Sequence, residues 1–354
     1  MGFRIAGISF DHMHMGDLLA QVAAHPDAEI CAVYDPDPAR MEGAIRAHAI
    51  PDAAVFTDLG AALATAPDLA LLCCATADHA SMTEAVAPHV PALFVEKPFA
   101  ASAADARRMI AAMAGKPMAV NWPLAWVESH RTAERLVREG AIGTLLEVHS
   151  YGGNRGPLYH LAGKEEVGAD EVARLKPGSW WYRRASGGGS LLDYMGYGAT
   201  LGTWFRRGEA PSEVTCTTWA APGLEVDEHA VAVLRYEGGL SKMETRWGTF
   251  TDPWTHQPQP KCGFVMVGAE GTLSSYDYED HVTLQTRERP EAHQVPADPL
   301  PSDQENGIAY VVGCIERGEP IGLCLDPALC LTAQRIVDTA AASARAKRPL
   351  PLVP

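Results

Sequence analysis

The sequence predicts an α/β fold in two parts. A doubly wound parallel sheet occupies residues 1–121, and an α+β part, 122–354, is built on a large, mostly antiparallel open sheet. Three observations carry this reading. Short apolar runs alternate with helix-length segments as far as Asn121, which implies βαβ units and right-handed parallel connections. From Val214 onward the texture changes to successive strand-like runs joined by short turns. A chain of 354 residues also exceeds what one core organises, so two domains are expected.

The first strand is Phe3 to Ile8, and a helix follows over 15–25. A second strand, 29–34, ends at Asp35, with helix over 38–48, a short third strand at 54–57 and helix over 58–66. The fourth strand is LALLCCA, 69–75, followed by helix over 80–87. The fifth is LFVE, 93–96, then helix over 103–114 and a sixth strand, 118–120, ending in Asn121. Continuous apolar runs of this kind mark strands buried on both faces. Trp122-Pro123 breaks the pattern, and the domain boundary is placed there.

Beyond it, 127–139 reads as an amphipathic helix with Val127, Ala133, Leu136 and Val137 on one face and Gly140 as its stop. A strand over 145–151 leads to a Gly- and charge-rich loop, 152–178, long enough to be a binding element. Gly187, Gly188 and Gly189 then approach a helix starting near Ser190. Strands are expected at 214–220, 228–236, 240–247, 262–268, 271–276 and 281–285, and closing helices at 303–317 and 327–346. Helices on one sheet face leave the other to be covered, so a homodimer or homotetramer through that sheet is expected.

Composition narrows the function. A net charge of −15 with no basic stripe excludes nucleic acid and anionic membrane as partners. No apolar run reaches the ~20 residues of a membrane span. Eight cysteines without a Cys-x-x-Cys pair read as buried, reduced thiols. With no basic and apolar leader before the first strand, the expectation is a cytoplasmic enzyme acting on a small molecule.

In a doubly wound fold the first strand–helix turn and the acid after the second strand handle a dinucleotide. Asp35 stands at that second position, where it either accepts ribose hydroxyls or serves the Asp-Pro-Asp-Pro turn. A carboxylate there repels a 2′-phosphate, which favours NAD over NADP. The first turn departs from Gly-x-Gly-x-x-Gly: it reads Gly7-Ile8-Ser9-Phe10-Asp11-His12, with Ser9 small and His12 bulky. Gly16 is a candidate for relieving helix packing in its place. Asp11, His12 and His14 can also be read as metal ligands; nothing else has ligand spacing, so no metal is expected. Thr76 to His79 follow the fourth strand, where Thr76 can contact a dinucleotide and His79 can cap the next helix.

Glu96-Lys97-Pro98 ends the fifth strand. Pro98 gives the ladder no N–H and holds Lys97 extended. A lysine fixed there binds an anion, polarises a hydroxyl or exchanges a proton; on a bare surface it would only cap a helix. Farther on, Asp193 and Tyr197 lie four apart on one helix face behind the three glycines. Such a pair can orient a polyol and move a proton, or be plain surface polarity. Trp180, Trp181, Tyr182 and Arg183 suit either stacking on a sugar or an interface.

Together these stretches resemble the glucose–fructose oxidoreductase/inositol dehydrogenase (Gfo/Idh/MocA) family over nearly the whole chain. The carriers are Asp35, Thr76 to His79, Glu96-Lys97-Pro98, Asn121, Trp180 with the glycine triplet, Leu192-Asp193, the Gly268 to Gly271 hairpin and the final Arg345 to Pro349. The resemblance implies a Rossmann domain binding NAD through Gly7, Ser9, Phe10, His12, Asp35, Thr76, His79, Glu96, Lys97 and Asn121. It implies hydride transfer to or from a secondary alcohol or ketone of a sugar, cyclitol or keto-glycoside. Lys97 and Asp193 would bind substrate, with Trp180, Tyr182 and Arg183 beside it. Tyr197 stands where the family usually has a histidine acid/base, and Gly196 sits one place late. Two alternatives stay open: redox-neutral, NAD-assisted cleavage, elimination or epimerisation of a glycoside, and a non-catalytic sugar sensor.

Overall fold

A computed structural model describes residues 2–354, and two sheets organise them. The first is built by β1 (Phe3–Ile8), α1 (His14–Ala24), β2 (Ala28–Tyr34), α2 (Glu42–His48), β3 (Val55–Phe56), α3 (Leu59–Leu63), β4 (Leu69–Leu72), α4 (His79–Val86), β5 (Leu93–Glu96), α5 (Ala103–Met113) and β6 (Met118–Asn121). Its strands pair in parallel in the order β3-β2-β1-β4-β5-β6. The chain winds outward from β1 and resumes at β4 on the other side, so a crevice opens where the carboxyl ends of β1 and β4 part. Every residue of β4 and β5 is buried, which is why LALL and LFVE carry no alternation. α1 lays Met15, Leu18, Leu19 and Val22 on the sheet, a helical stripe in which each fully buried side chain contributes about 1.5–3 kcal/mol.

The second sheet is built by β7 (Leu145–Asn154), β8 (Glu213–Trp219), β9 (His229–Arg235), β10 (Leu240–Trp247), β11 (Gly263–Gly268), β12 (Gly271–Tyr276), β13 (His281–Thr286), β14 (His293–Pro296) and β15 (Leu350–Pro351). Its order is β14-β13-β12-β11-β7-β10-β9-β8-β15, antiparallel except where β7 runs parallel to β10. Around it lie α6 (Glu128–Arg138), α7 (Ala169–Leu175), α8 (Ser190–Phe205), α9 (Gly307–Arg317) and α10 (Pro327–Ala346). α8 comes close to the sheet because its inward positions are glycine. A Cβ on Gly198 would stand 2.2 Å from Ser150 Oγ. On the far face Trp219, Val233 and Leu240 are 56%, 40% and 46% exposed.

Three segments differ from the sequence expectation. The 152–178 stretch is not loop throughout, since β7 runs on to Asn154 and α7 fills Ala169–Leu175. β14 and β15 are edge pieces of four and two residues, too short and proline-bearing to show a strand pattern. Gly16 clears Ala162 of the second part, where an added Cβ would stand 2.6 Å away, rather than any strand. All eight cysteines are free thiols. No helix among the described residues is long and apolar enough to cross a membrane.

Candidate active site

Lys97, one residue past β5, reaches across to the second part and donates from Nζ to Asp193 Oδ1 at 2.6 Å. Both side chains are buried, at 5% and 4% exposure. Asp193 is held there by the start of α8. Gly187 and Gly189 take φ of +81° and +109°, which side chains with a Cβ avoid. Asp227 Oδ2 accepts from Ser190 Oγ and from the Leu191 N–H, capping the helix from another segment. The first turn of α8 therefore delivers Asp193 with the positive end of the helix beside it. Tyr197 follows one turn on, its ring centroid 5.5 Å from Lys97 Nζ. Trp181 closes the other side, 5.4 Å from the same nitrogen. With His12, His14, Asn154, His160 and Tyr278 they line one cleft.

Glu96 is the second group at the end of β5. Burial alone would raise its carboxyl, but His14, Lys97 and Asn121 outweigh it and hold the group below the usual carboxylate range. Oε1 lies 2.7 Å from His14 Nδ1, and Oε2 accepts from Asn121 Nδ2. His12 packs beside them, its ring 4.4 Å from that of His14 and 4.8 Å from that of Trp181. Its Nδ1 accepts the His14 backbone N–H, so in the neutral ring Nε2 carries the proton. That Nε2 is buried without a partner. Burial first, then the neighbouring His14 and Lys97, drives the His12 pKa well below 6.5. His12, His14 and Glu96 offer ligand atoms within 4.8 Å of one another, but the His12 nitrogen nearest the cluster bears a proton rather than a lone pair. Asp11 is drawn away from it, paired with Arg40 and accepting from Ser9 Oγ and the Ala75 N–H.

The crevice between β1 and β4 holds the residues the sequence marks for a dinucleotide. Asp35 sits at its edge, fully buried, with Oδ2 taking the Phe10 N–H and Oδ1 the Asp37 N–H; each oxygen keeps a further lone pair beyond these bonds. Thr76 Oγ1 is buried with no partner at the end of β4. Gly7 passes so close to α1 that a Cβ would meet Met15 Sδ at 3.0 Å. Arg40 faces Asp11, Asp35 and Asp37 together. The second part lies over this crevice: Trp180 Nε1 donates to the Asp11 carbonyl, and an added Cβ on Gly187 would stand 2.8 Å from Thr76 Cβ.

Several residues expected at the site stand elsewhere. His79 is buried with both ring nitrogens against the Cys74 and Phe99 carbonyls, which leaves it nothing to offer a cofactor. Glu96 takes Asn121 Nδ2 on one oxygen and His14 Nδ1 on the other, so both of its oxygens already have protein partners. Residues 180–182 form a tight 3₁₀ turn, in which the Trp180 and Trp181 rings stack with centroids 3.7 Å apart while Tyr182 turns away from them toward Trp247. Only Trp181 of that run reaches the cleft. Trp180 and Arg183 line a separate hollow with Phe10 and Asp11, and Tyr182 packs on Trp247 and under Lys176. Asn154, His160, Lys164 and Tyr278 also line the cleft without a sequence signal: Asn154 ends β7, and the other three are single polar residues outside the long helices and strands.

Known proteins match in the same two parts. A family model described as an NAD-binding Rossmann-fold oxidoreductase family matches residues 3–121, and one for the GFO/IDH/MocA C-terminal domain matches 130–274. D-apiose dehydrogenase of Paraburkholderia graminis is 37% identical over 121 residues, which is 33% of this chain and 32% of that protein's length. Among solved structures, aldose-aldose oxidoreductase from Caulobacter crescentus, complexed with glycerol, is similar with a TM-score of 0.79 at 18% identity, over 99% of this chain and 100% of that one. An oxidoreductase from Agrobacterium radiobacter, in complex with NAD+, L-tartaric acid and magnesium, gives 0.77 at 18% identity over 99% of both chains. The WlbA dehydrogenase from Bordetella pertussis, with NADH and UDP-GlcNAcA, gives 0.75 at 17% identity over 100% and 98%. At such identities these three likenesses are of fold.

Proposed function

The chain belongs to the Gfo/Idh/MocA family of NAD-binding oxidoreductases, and on that premise we propose that it moves a hydride between NAD and a secondary alcohol or ketone of a sugar, cyclitol or keto-glycoside. The observation that carries the reading is the buried 2.6 Å contact of Lys97 with Asp193, one from each part of the chain, facing a cleft beside the dinucleotide crevice. When bound, the nicotinamide supplies the hydride acceptor or donor. Asp35 and Thr76 are the residues with acceptor or hydroxyl capacity left for its ribose and neighbouring groups.

Asp193 Oδ1 takes the Lys97 ammonium, and Oδ2 has no protein donor among the described residues. That second oxygen accepts the substrate hydroxyl, orients it and receives its proton as the carbon gives up hydride. The Lys97 ammonium stands beside the developing carbonyl oxygen, where a fixed positive charge in a low-dielectric site is most effective. Tyr197 enters as a donor. Burial first, then the Glu96 and Asp193 carboxylates, pushes its phenol well above 10, so at neutral pH it gives a hydrogen bond and does not take a proton. The proposal thus gives Tyr197 a donor's part in place of the acid/base role that its place in the family pattern implies. Trp181 offers the apolar face on which a sugar ring can stack.

D-apiose dehydrogenase acts, by its name, on a sugar, which supports the substrate class. NADH formation or consumption should be followed over monosaccharides, cyclitols and 3-keto-glycosides; activity on at least one, lost in Lys97→Ala, is expected. No turnover in either direction would sink the proposal. The Trp180 and Gly187 contacts that cover the crevice favour one second reading, a retained NAD that is reduced and reoxidised within a redox-neutral glycoside reaction. Glycoside loss without net NADH would identify it. The exposed Trp219, Val233 and Leu240 support self-association through the open sheet face.

A further inference from the structure

We infer that His14 and Glu96 form a second proton-transfer site in this cleft, a carboxylate–imidazole dyad that removes a proton from the carbon next to the carbonyl of a keto sugar. The inference rests on the reading that a keto sugar occupies the cleft, and it concerns a different bond from the one that carries hydride.

The hydrogen bonding determines which nitrogen is basic. Glu96 is buried and ionised, with Asn121 Nδ2 on one oxygen, so it accepts only. The 2.7 Å contact to His14 Nδ1 is therefore donated by the imidazole, and the neutral ring keeps its lone pair on Nε2. Among the described residues that nitrogen has no protein partner, and His14 lines the cleft with Lys97, Asp193 and Tyr197. The ring cannot easily swing away, because the His14 N–H is tied to His12 Nδ1 and the two rings pack together. His12 Nε2 lies 3.9 Å from the same Glu96 oxygen, too far for a hydrogen bond, so the bonds on the carboxylate are those from His14 and Asn121. A carboxylate that orients an imidazole through Nδ1–H and steadies the imidazolium is how a histidine is made an effective base.

The step balances without an added oxidant. His14 Nε2 takes the proton from the carbon beside the carbonyl. The C–H pair becomes a C=C bond, the carbonyl π pair moves to oxygen, and Lys97 meets the resulting oxyanion. Return of the proton to the same face regenerates the ketone, to the other face gives the epimer, and loss of a group from the next carbon gives elimination.

The test is solvent exchange. The purified enzyme is incubated with a 3-keto-glucoside in D₂O, and the α-protons are followed by proton NMR against an enzyme-free control. NADH-driven reduction of the same ketone is measured in parallel. Wild type should exchange well above background, and in His14→Gln the ratio of exchange to reduction should fall roughly a hundredfold. Glu96→Gln keeps the ring but neutralises its partner, and should lower the same ratio at least about tenfold. Thermal melts identify a variant that has not folded, and the folded one of the two then decides. Absence of wild-type exchange, or an unchanged ratio in a folded variant, overturns the dyad. Exchange without any NADH-driven reduction upholds the dyad and overturns the hydride-transfer reading, so the two fail separately.

Discussion

At the scale of single residues the account turns on how two consecutive side chains at the end of β5 are used. Glu96 faces His14 at 2.7 Å, and Lys97 faces Asp193 at 2.6 Å. Removing one partner of a buried pair strands the other charge. Lys97→Ala and Asp193→Asn are each expected to lower kcat by about 10²–10⁴. Tyr197→Phe should lower kcat/KM by only about tenfold, the loss of one donor, with the acid and basic limbs of the pH profile in place. A profile that lost its basic limb in Tyr197→Phe would instead restore the phenol as proton acceptor. On the proposed ribose assignment, Asp35 sets the choice of cofactor. Asp11, Asp35 and Asp37 crowd the place a 2′-phosphate would occupy, and Arg40 is already shared among them. Asp35→Ser should lose about 1.5–3 kcal/mol of NAD affinity and narrow or reverse the preference over NADP. Titration of both cofactors by Trp fluorescence reads this, and a wild type that binds NADP equally well would sink the ribose assignment.

At the scale of elements, the strands and helices of the first sheet could be read from the sequence because burial sets their pattern. LALL and LFVE are apolar because β4 and β5 lie mid-sheet, and the α1 stripe of Met15, Leu18, Leu19 and Val22 follows the helical period. Lys97 and Asp193 could be read together for a related reason: a strand end and a helix start leave local signs, whereas the aromatic run marked Trp180, Trp181, Tyr182 and Arg183 alike. His14 was visible only as a possible metal ligand, because its role depends on a hydrogen bond to Glu96 across 82 positions of sequence. Within the aromatic run Trp181 lines the cleft while Tyr182 packs on Trp247, a difference of direction that composition does not carry. The turn into α8 shows how local geometry serves the site. At Gly187, with φ +81° and Thr76 close by, substitution by Ala should cost about 1–3 kcal/mol from backbone strain alone. Denaturant melts of Gly187→Ala should show that loss, and unchanged stability would mean that the segment lifts freely from Thr76.

At the scale of the whole molecule, the histidines buried neutral in and around the cleft couple stability to pH. Burial, above all, drives His12 far below and His79 below 6.5, and lowers His160 to about 3. Unfolded histidine binds a proton below about 6.5 while these folded ones do not, so stability is present above that pH and falls as acid is added, by about 1.4 kcal/mol per pH unit for each such histidine. Thermal melts between pH 7 and 5 should drop accordingly, and His160→Phe should shallow the slope. Self-association through Trp219 and Leu240 predicts that Trp219→Lys with Leu240→Lys lightens the particle in sedimentation, and an unchanged mass would exclude that face. The central claim is that hydride passes between NAD and a sugar carbon in the cleft formed by Lys97 and Asp193. NADH carrying deuterium at the transferable C4 position, mixed with a panel of keto-glycosides, tests it most directly. The product should carry one deuterium on the carbon that gains the hydroxyl, and Lys97→Ala should form it about 10²–10⁴ times more slowly. Product without deuterium on that carbon, or undiminished labelling in Lys97→Ala, would contradict the account.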